Sequence, residues 1–202
     1  MNILGLDMST RKTGWAIFEN GKLKSYNLIE IKGDDIDKRT AYMYDKLQEL
    51  ITTHDIDIIV CEDVPVSTHS NLDVGKNLCI LQGCLLTIAH SMNIPLIKEH
   101  PTSWRARIGI NKTEYSCVKC GHTFVDVSGL DFKRCPKCDC QDSISKKPLN
   151  DRDLLKERAI VFSNNLFGTK LSYFGKYSRK NDDDIAEAIL VGYSYLKEAN
   201  LL

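Results

Sequence analysis

The chain has 202 residues, 43% of them hydrophobic, enough to bury one core with room for a small insertion. Lys+Arg and Asp+Glu each number 27, so net charge is zero and overall charge cannot hold this protein to nucleic acid; any basic surface must be local. No run is expected to cross a bilayer and the first residues lack a signal-peptide pattern, so a soluble, cytoplasmic protein is expected.

Residues 2–8 and 13–19 read as strands joined by Met8-Ser9-Thr10-Arg11-Lys12. Asn20-Gly21 is a hairpin turn, and the alternating residues 22–31 complete an antiparallel meander. Residues 35–53 follow as a helix, with Ala41, Tyr44, Leu47, Leu50 and Ile51 at helical spacing. The β-branched run at 56–61 has the signature of a buried parallel strand. A second helix is expected over 72–92, on a stripe of Leu78, Leu81, Leu85, Ile88 and Ala89, then a fifth strand at Ile94-Pro95-Leu96-Ile97. Pro101 starts a short helix from a first-turn position. Apolar periodicity vanishes from Asn111 to about Pro148, resumes as a helix from Asn150-Asp151 to about Leu166, and returns after a loop at 168–181 in a last helix at about 182–199.

This order places acids at selected positions. Asp7 ends the first strand and Glu62 the fourth, and ligands gather at the C-terminal edge of parallel strands. Asp184 and Glu187 are three apart and share a helix face. Asp182 and Asp183 fit ordinary helix-start chemistry. Carboxylates gathered in one place repel one another unless a cation fills the site. A Mg²⁺ pair is the usual filler, and phosphodiester cleavage its usual chemistry.

Five of the eight cysteines lie within 117–140. Cys117-Val118-Lys119-Cys120 and Cys135-Pro136-Lys137-Cys138 are two Cys-x-x-Cys knuckles separated by fourteen residues, a spacing that closes a tetrahedral structural Zn²⁺ site. Such a site would supply the folding energy that a 111–149 insertion cannot find in a core of its own, and four thiolates leave no open position for catalysis. Cys140 and His122 read as bystanders, and Cys61, Cys79 and Cys84 as small hydrophobes. Lys112, Lys119, Lys133, Arg134, Lys137, Lys146 and Lys147 make the insertion basic.

Basic and aromatic residues interleave from Lys170 to Lys180. Lys170, Lys176, Arg179 and Lys180 could meet phosphates, and Tyr173 could stack on unpaired bases. Arg105 and Arg107 are further phosphate candidates, Trp104 reads as core, and Arg11 and Lys12 lie beside Asp7.

Gly5-Leu6-Asp7-Met8-Ser9 with Thr13-Gly14-Trp15-Ala16 resembles the first motif of the RuvC-type Holliday-junction resolvases. Val60-Cys61-Glu62 resembles their second, and Asp184-Ile185-Ala186-Glu187-Ala188 their C-terminal acidic helix. The resemblance runs over roughly 1–110 and 150–199, and Glu187 stands where the family pattern has Asp. It implies an α/β chain of RNase H-like fold, a mixed five-stranded sheet flanked by helices, with a nuclease domain at 1–110 and 150–202; the small four-cysteine zinc ribbon inserted at 111–149 is read from the cysteine spacing and is absent from most resolvases of the usual bacterial kind. The resemblance implies further a homodimer that nicks branched, four-way DNA symmetrically with Mg²⁺, or Mn²⁺ in its place, on Asp7, Glu62, Asp184 and Glu187. The three-residue spacing selects Asp184, with Asp183 as the alternative.

An actin-like ATPase or sugar kinase shares the opening Gly-x-Asp turn but needs a second domain. An RNase H-like enzyme acting on flaps or hybrids, and a non-catalytic zinc-ribbon protein, are the other readings.

Overall fold

The computed structural model describes residues 1–64, 72–110, 114–125, 134–141, 144–147, 152–175 and 178–202. The sequence readings at Lys112, Lys133, Asn150, Asp151 and Lys176 lie outside these residues.

The meander expected at the start is present: β1 (Asn2–Asp7), β2 (Lys12–Glu19) and β3 (Lys22–Glu30) are antiparallel neighbours. Asn20 and Gly21 both take positive φ in the turn between β2 and β3, the backbone that Asn-Gly favours. After α1 (Ile36–Thr53), β4 (Ile58–Glu62) pairs parallel to β1. After α2 (Leu72–Ser91), β5 (Leu96–Glu99) pairs parallel to β4. The sheet order is therefore β3-β2-β1-β4-β5. β5 starts two residues later than its apolar run suggests, because Ile94 packs as a loop residue in the core beneath α1 and α2.

Strand alternation decides what each face holds. Ile3, Ala16, Phe18, Ile58, Val60 and Ile97 point to one face, which is covered by α3 (Pro101–Ile108), α4 (Arg152–Phe167) and α5 (Asp183–Glu198). Leu4, Leu6, Ile17, Ile59, Cys61 and Leu96 point to the other, beneath α1 and α2. Asp7 has the parity of Ile3, and Glu62 that of Val60, so both acids face α5. Leu6 pairs with Cys61, so the two acids stand side by side at one sheet edge.

α5 lies unusually close to the sheet. A Cβ on Gly5 would collide with the carbonyl oxygen of Ala188, and one on Gly14 with that of Asp184. A Cβ on Gly192 would stand 2.8 Å from the Phe18 ring. Glycine is needed at these positions for close approach rather than for turn geometry.

Two helix stripes depart from expectation. In α1 the buried set is Arg39, Met43, Leu47, Leu50 and Ile51, and Ala41 faces water. The helical repeat counted back from Leu47 and Leu50 passes through 43 and 39–40 rather than 41. α2 proves long and apolar enough to cross a bilayer by length and composition, against the sequence reading. Leu81, Leu85, Ile88 and Ala89 are nonetheless built into the core, while Leu72, Val74, Ile80 and Leu86 form an outward apolar face. Cys79 is exposed and Cys84 half-exposed on this helix, so only Cys61 among the three scattered cysteines is a core residue; burial pushes its thiol up to about 12.

Between α3 and α4, β6 (Glu114–Cys117), β7 (Thr123–Val125) and β8 (Ile144–Lys147) form a separate sheet in the order β7-β6-β8.

Gly14→Ala is expected to force the Asp184–Ile185 peptide off the sheet. The cost of such overpacking is about 1–3 kcal/mol or more, a drop of several degrees in Tm for a chain this size. Thermal melting followed by circular dichroism checks this; an unchanged Tm would show that α5 does not depend on the contact.

Candidate active site

The edge where β1 and β4 end opens into a cavity of ≈ 690 Å³ whose lining includes Asp7, Glu62, Asp184 and Glu187. Sequence separation is closed by tertiary packing: two acids come from strand ends and two from the first turns of α5, which crosses directly above. All four acids singled out in the sequence thus share one cavity.

Each acid is held by named partners. The indole Nε1 of the fully buried Trp104 donates to Glu62 Oε1 at 3.2 Å. Arg105 Nη2 lies 3.2 Å from Glu62 Oε1 and 2.6 Å from Glu187 Oε1, bridging the two carboxylates. Lys12 Nζ lies 3.2 Å from Asp184 Oδ2 and donates to the Asn181 carbonyl at 2.5 Å. Asp183, almost fully buried, pairs with Lys156 of α4. Of the two candidates, Asp184 lines the cavity with the other three acids, and Asp183 pairs with Lys156 and lines the adjoining cavity. Asp182 gives α5 no side-chain cap and instead accepts from Ser172 N at 2.8 Å.

The electrostatics follow from this crowding. Asp7 is raised well above the ordinary carboxylate value, first by burial and then by Glu187, Glu62 and Asp184, with Arg105 opposing. Asp184 and Glu187 are also raised, chiefly by burial; Lys12 and Arg105 respectively pull them back. A set of carboxylates that resist ionising together is a set that a divalent cation would stabilise, and their oxygen donors are of the type that Mg²⁺ takes. Removing Arg105 would leave two largely buried carboxylates without their shared cation, a loss of about 3–5 kcal/mol.

The structure distributes the expected phosphate contacts. Lys170, Arg179 and Lys180 are exposed on the loop before α5. Tyr173 packs against the core beneath that loop with its hydroxyl buried and without a hydrogen bond, while Phe174 beside it is 65% exposed. Asn181 ties this loop down, accepting from Phe174 N at 2.8 Å and donating to Gly175 O at 2.9 Å. Arg105 is spent on the acids, and Arg107 on Glu99 at 3.0 Å and Glu198 at 2.8 Å. Arg11 reaches Asp34 at 2.9 Å. Sequence reasoning missed Trp104 as a partner of Glu62, and Lys156 and Arg39 as lining residues. A signal was available for the first: Trp104 and Arg105 open a helix directly after β5, at the same sheet edge as Asp7 and Glu62.

In the small sheet, Cys117, Cys120, Cys135 and Cys138 bring their sulfurs within 4.8 Å of one another, with 3.6 Å between Cys117 and Cys138 and 3.7 Å between Cys120 and Cys135. A tetrahedral site with Zn–S of ~2.3 Å has edges close to these. Each knuckle is closed by the same backbone bonds: Cys117 N to His122 O with Gly121 N to Cys117 O, and Cys135 N to Cys140 O with Asp139 N to Cys135 O. Cys140 is not the solvated bystander expected. Its sulfur is 3.1 Å from Cys117 and 3.3 Å from Cys138, because the second knuckle folds it inward. His122, at the matching place, stacks on Phe124.

The family profile described as Crossover junction endodeoxyribonuclease RuvC matches residues 3–128. A comparison with curated protein sequences finds no match. Among solved structures, Thermus thermophilus RuvC in complex with a Holliday junction substrate aligns over 100% of this chain and 96% of its own, at 11% identity and a TM-score of 0.62. The yeast mitochondrial Holliday junction resolvase Ydc2 aligns over 98% and 79%, at 13% identity and a TM-score of 0.53. The five-stranded mixed sheet between helices is thus the RuvC-type, RNase H-like fold that the sequence motifs implied.

A raised folded pKa means that the folded chain takes up a proton while the unfolded chain is still ionised. Acidification through that raised value therefore stabilises the fold, and the stability is lost as pH rises through it. Without divalent cations at neutral pH, Asp7→Asn is expected to melt a few degrees above wild type, the gap narrowing as pH falls. Millimolar Mg²⁺ should raise the Tm of wild type and not of the variant. Equal melting of both proteins at every pH would show that the acids do not repel at this site.

Proposed function

Since the chain belongs to the RuvC family of crossover junction endodeoxyribonucleases, we propose that it resolves four-way DNA junctions by Mg²⁺-dependent hydrolysis of one phosphodiester in each of two symmetric strands, with Asp7, Glu62, Asp184 and Glu187 as the catalytic set. The observation that carries this reading is the meeting of those carboxylates in one cavity, from elements far apart in the chain. When bound there, divalent cations would supply an activated water and charge neutralisation at the scissile phosphate, which Mn²⁺ can also do.

The chain's own residues do the positioning. Trp104 fixes the rotamer of Glu62 through its indole hydrogen bond. Lys12 sets Asp184 at the cavity wall. Arg105, between Glu62 and Glu187, holds both in place and favours the ionised form of Glu187. Glu187, one methylene longer than the family's residue, reaches Arg105 from the second turn of α5. Arg179 lines the adjoining cavity, and with the exposed Lys170 and Lys180 of the same loop it would offer the DNA local positive charge that the zero net charge does not.

A two-fold homodimer would match the near two-fold symmetry of a four-way junction. The outward face of α2, with Ile80 47% and Leu86 54% exposed, is the surface we assign to the partner copy. Residues 111–149 form a zinc-binding insertion in the nuclease domain of 1–110 and 150–202, with Cys117, Cys120, Cys135 and Cys138 as ligands of a structural ion. We place the protein in the cytoplasm, with DNA as its partner.

Asp7→Asn is expected to abolish nicking of a synthetic four-way junction in Mg²⁺, a loss of at least a thousandfold, while junction binding in a mobility-shift assay stays within a fewfold of wild type. Cleavage at the wild-type rate would refute the assignment, and cleavage of flaps or RNA–DNA hybrids in preference to junctions would move the substrate class. Cys117→Ser with Cys120→Ser should release zinc, measured by a colorimetric chelator, and leave the circular dichroism of the nuclease domain largely intact. Stoichiometric zinc in that double variant would rule out the four-cysteine site.

A further inference from the structure

The cavity that holds the four acids also holds a cation whose role the catalytic set does not explain. Arg39, in the first turns of α1, is 7% exposed and lines the cavity together with Asp7, Ser9, Thr10 and Arg11. A guanidinium stays charged, and burial without a counter-ion is costly. Among the described residues no carboxylate lies in ion-pair range of Arg39. Its Nη1 donates to the Gly33 carbonyl at 2.9 Å, and its buried Nε has no partner. Of the acids near it in sequence, Asp37 is exposed in the first turn of α1 and two others are committed elsewhere. Asp35 caps α1 by accepting from Asp37 N and Lys38 N, and Asp34 is fully exposed with Arg11.

A second cation converges on the same point. Arg11 Nη1 donates to the same Gly33 carbonyl at 2.7 Å. Two guanidinium groups therefore share one neutral oxygen, and the one carboxylate beside them, the exposed Asp34, is on Arg11. Like charges held together in this way are stabilised by an anion with several acceptor oxygens, and a phosphodiester offers these in the geometry that a guanidinium fork fits. Arg11 also lines a second, adjoining cavity of ≈ 740 Å³ with Lys12, Lys32, Lys156 and Arg179. Arg11 thus stands where one cavity passes into the other, and Arg39 lines the first beside it.

We propose that Arg39 and Arg11 form a clamp for the backbone phosphate next to the scissile one, so that the acids and the clamp together set which phosphodiester is cut. The proposal rests on the junction-nuclease reading and names the part of the substrate that this wall of the site holds. Arg39 is a binding and register-setting residue here, separate from the groups that act at the scissile phosphate.

The test is a scan of single methylphosphonates, which neutralise one phosphate at a time, along the cleaved strand of a four-way junction bound to the full-length wild-type protein in EDTA. One neutralised neighbour of the scissile phosphate is expected to weaken binding by roughly ten- to a hundredfold. Arg39→Met should weaken binding of the unmodified junction by a similar factor and lower the slope of log K against log[salt] by about one. It should add no further loss on the neutralised junction. Arg39→Lys should keep the salt slope. A scan in which no neighbouring phosphate matters, or losses from variant and methylphosphonate that multiply, would overturn the clamp. So would an Arg39→Met protein that melts lower with binding and salt slope unchanged. Should Arg39→Met fail to fold, the scan on wild type decides alone. Nicking of the unmodified junction by wild type in Mg²⁺ tests the function separately: a protein that nicks yet shows a silent scan loses only the clamp, and one that never nicks loses the function.

Discussion

The mutual repulsion of Asp7, Glu62, Asp184 and Glu187 is the constraint around which this molecule is arranged. Burial first, and then the neighbouring carboxylates, raise Asp7, Asp184 and Glu187 above the ordinary carboxylate value. The fold offsets this with cations placed between the acids rather than around them. Arg105 bridges Glu62 and Glu187, and Lys12 meets Asp184. Lys156 takes up the neighbouring charge of Asp183. Asp7, at the centre, has no such ion pair among the described residues and is raised well above the ordinary carboxylate value. The site is therefore poised to take up positive charge, and Asp7 is where that tendency is concentrated.

Holding the acids together requires α5 to lie almost on the sheet. Gly5 and Gly14 of the sheet face Ala188 and the Asp184 peptide, and Gly192 receives the Phe18 ring. The same contacts that exclude a Cβ fix the height of Asp184 and Glu187 above Asp7 and Glu62. Core packing and site geometry are in this sense one feature. A methyl group added at the sheet would be felt at the cavity, because a densely packed interior transmits displacement rather than absorbing it.

The remaining surface divides between two further tasks. α2 gives one stripe to the core and leaves Leu72, Val74, Ile80 and Leu86 exposed among the described residues. The small sheet between α3 and α4 has few buried apolar side chains, Tyr115 among them, and gathers its cysteines at one end. Its two knuckles repeat the same backbone pattern, and Cys140 enters the sulfur group through that repetition.

The sequence by itself determined the element order, the antiparallel opening and the parallel crossover. Alternation and turn residues are local signals, and strand neighbours here follow chain order closely enough for those signals to suffice. It also determined that Asp7 and Glu62 end strands and that Asp184 and Glu187 share a helix face, since periodicity fixes side-chain direction within an element. The four cysteines were legible for the same reason, as a pattern of spacing. Only the tertiary structure decided which charge meets which. Arg105, eligible by sequence for phosphate, lies between two acids because the helix after β5 begins at their edge. Tyr173 turned inward and Phe174 outward because Asn181 closes their loop. Arg39 came to the cavity wall because the buried stripe of α1 runs back from Leu47 through Met43 to Arg39 rather than to Ala41. Pairings of this kind depend on where separate elements land relative to one another, and no single segment of the chain encodes that placement.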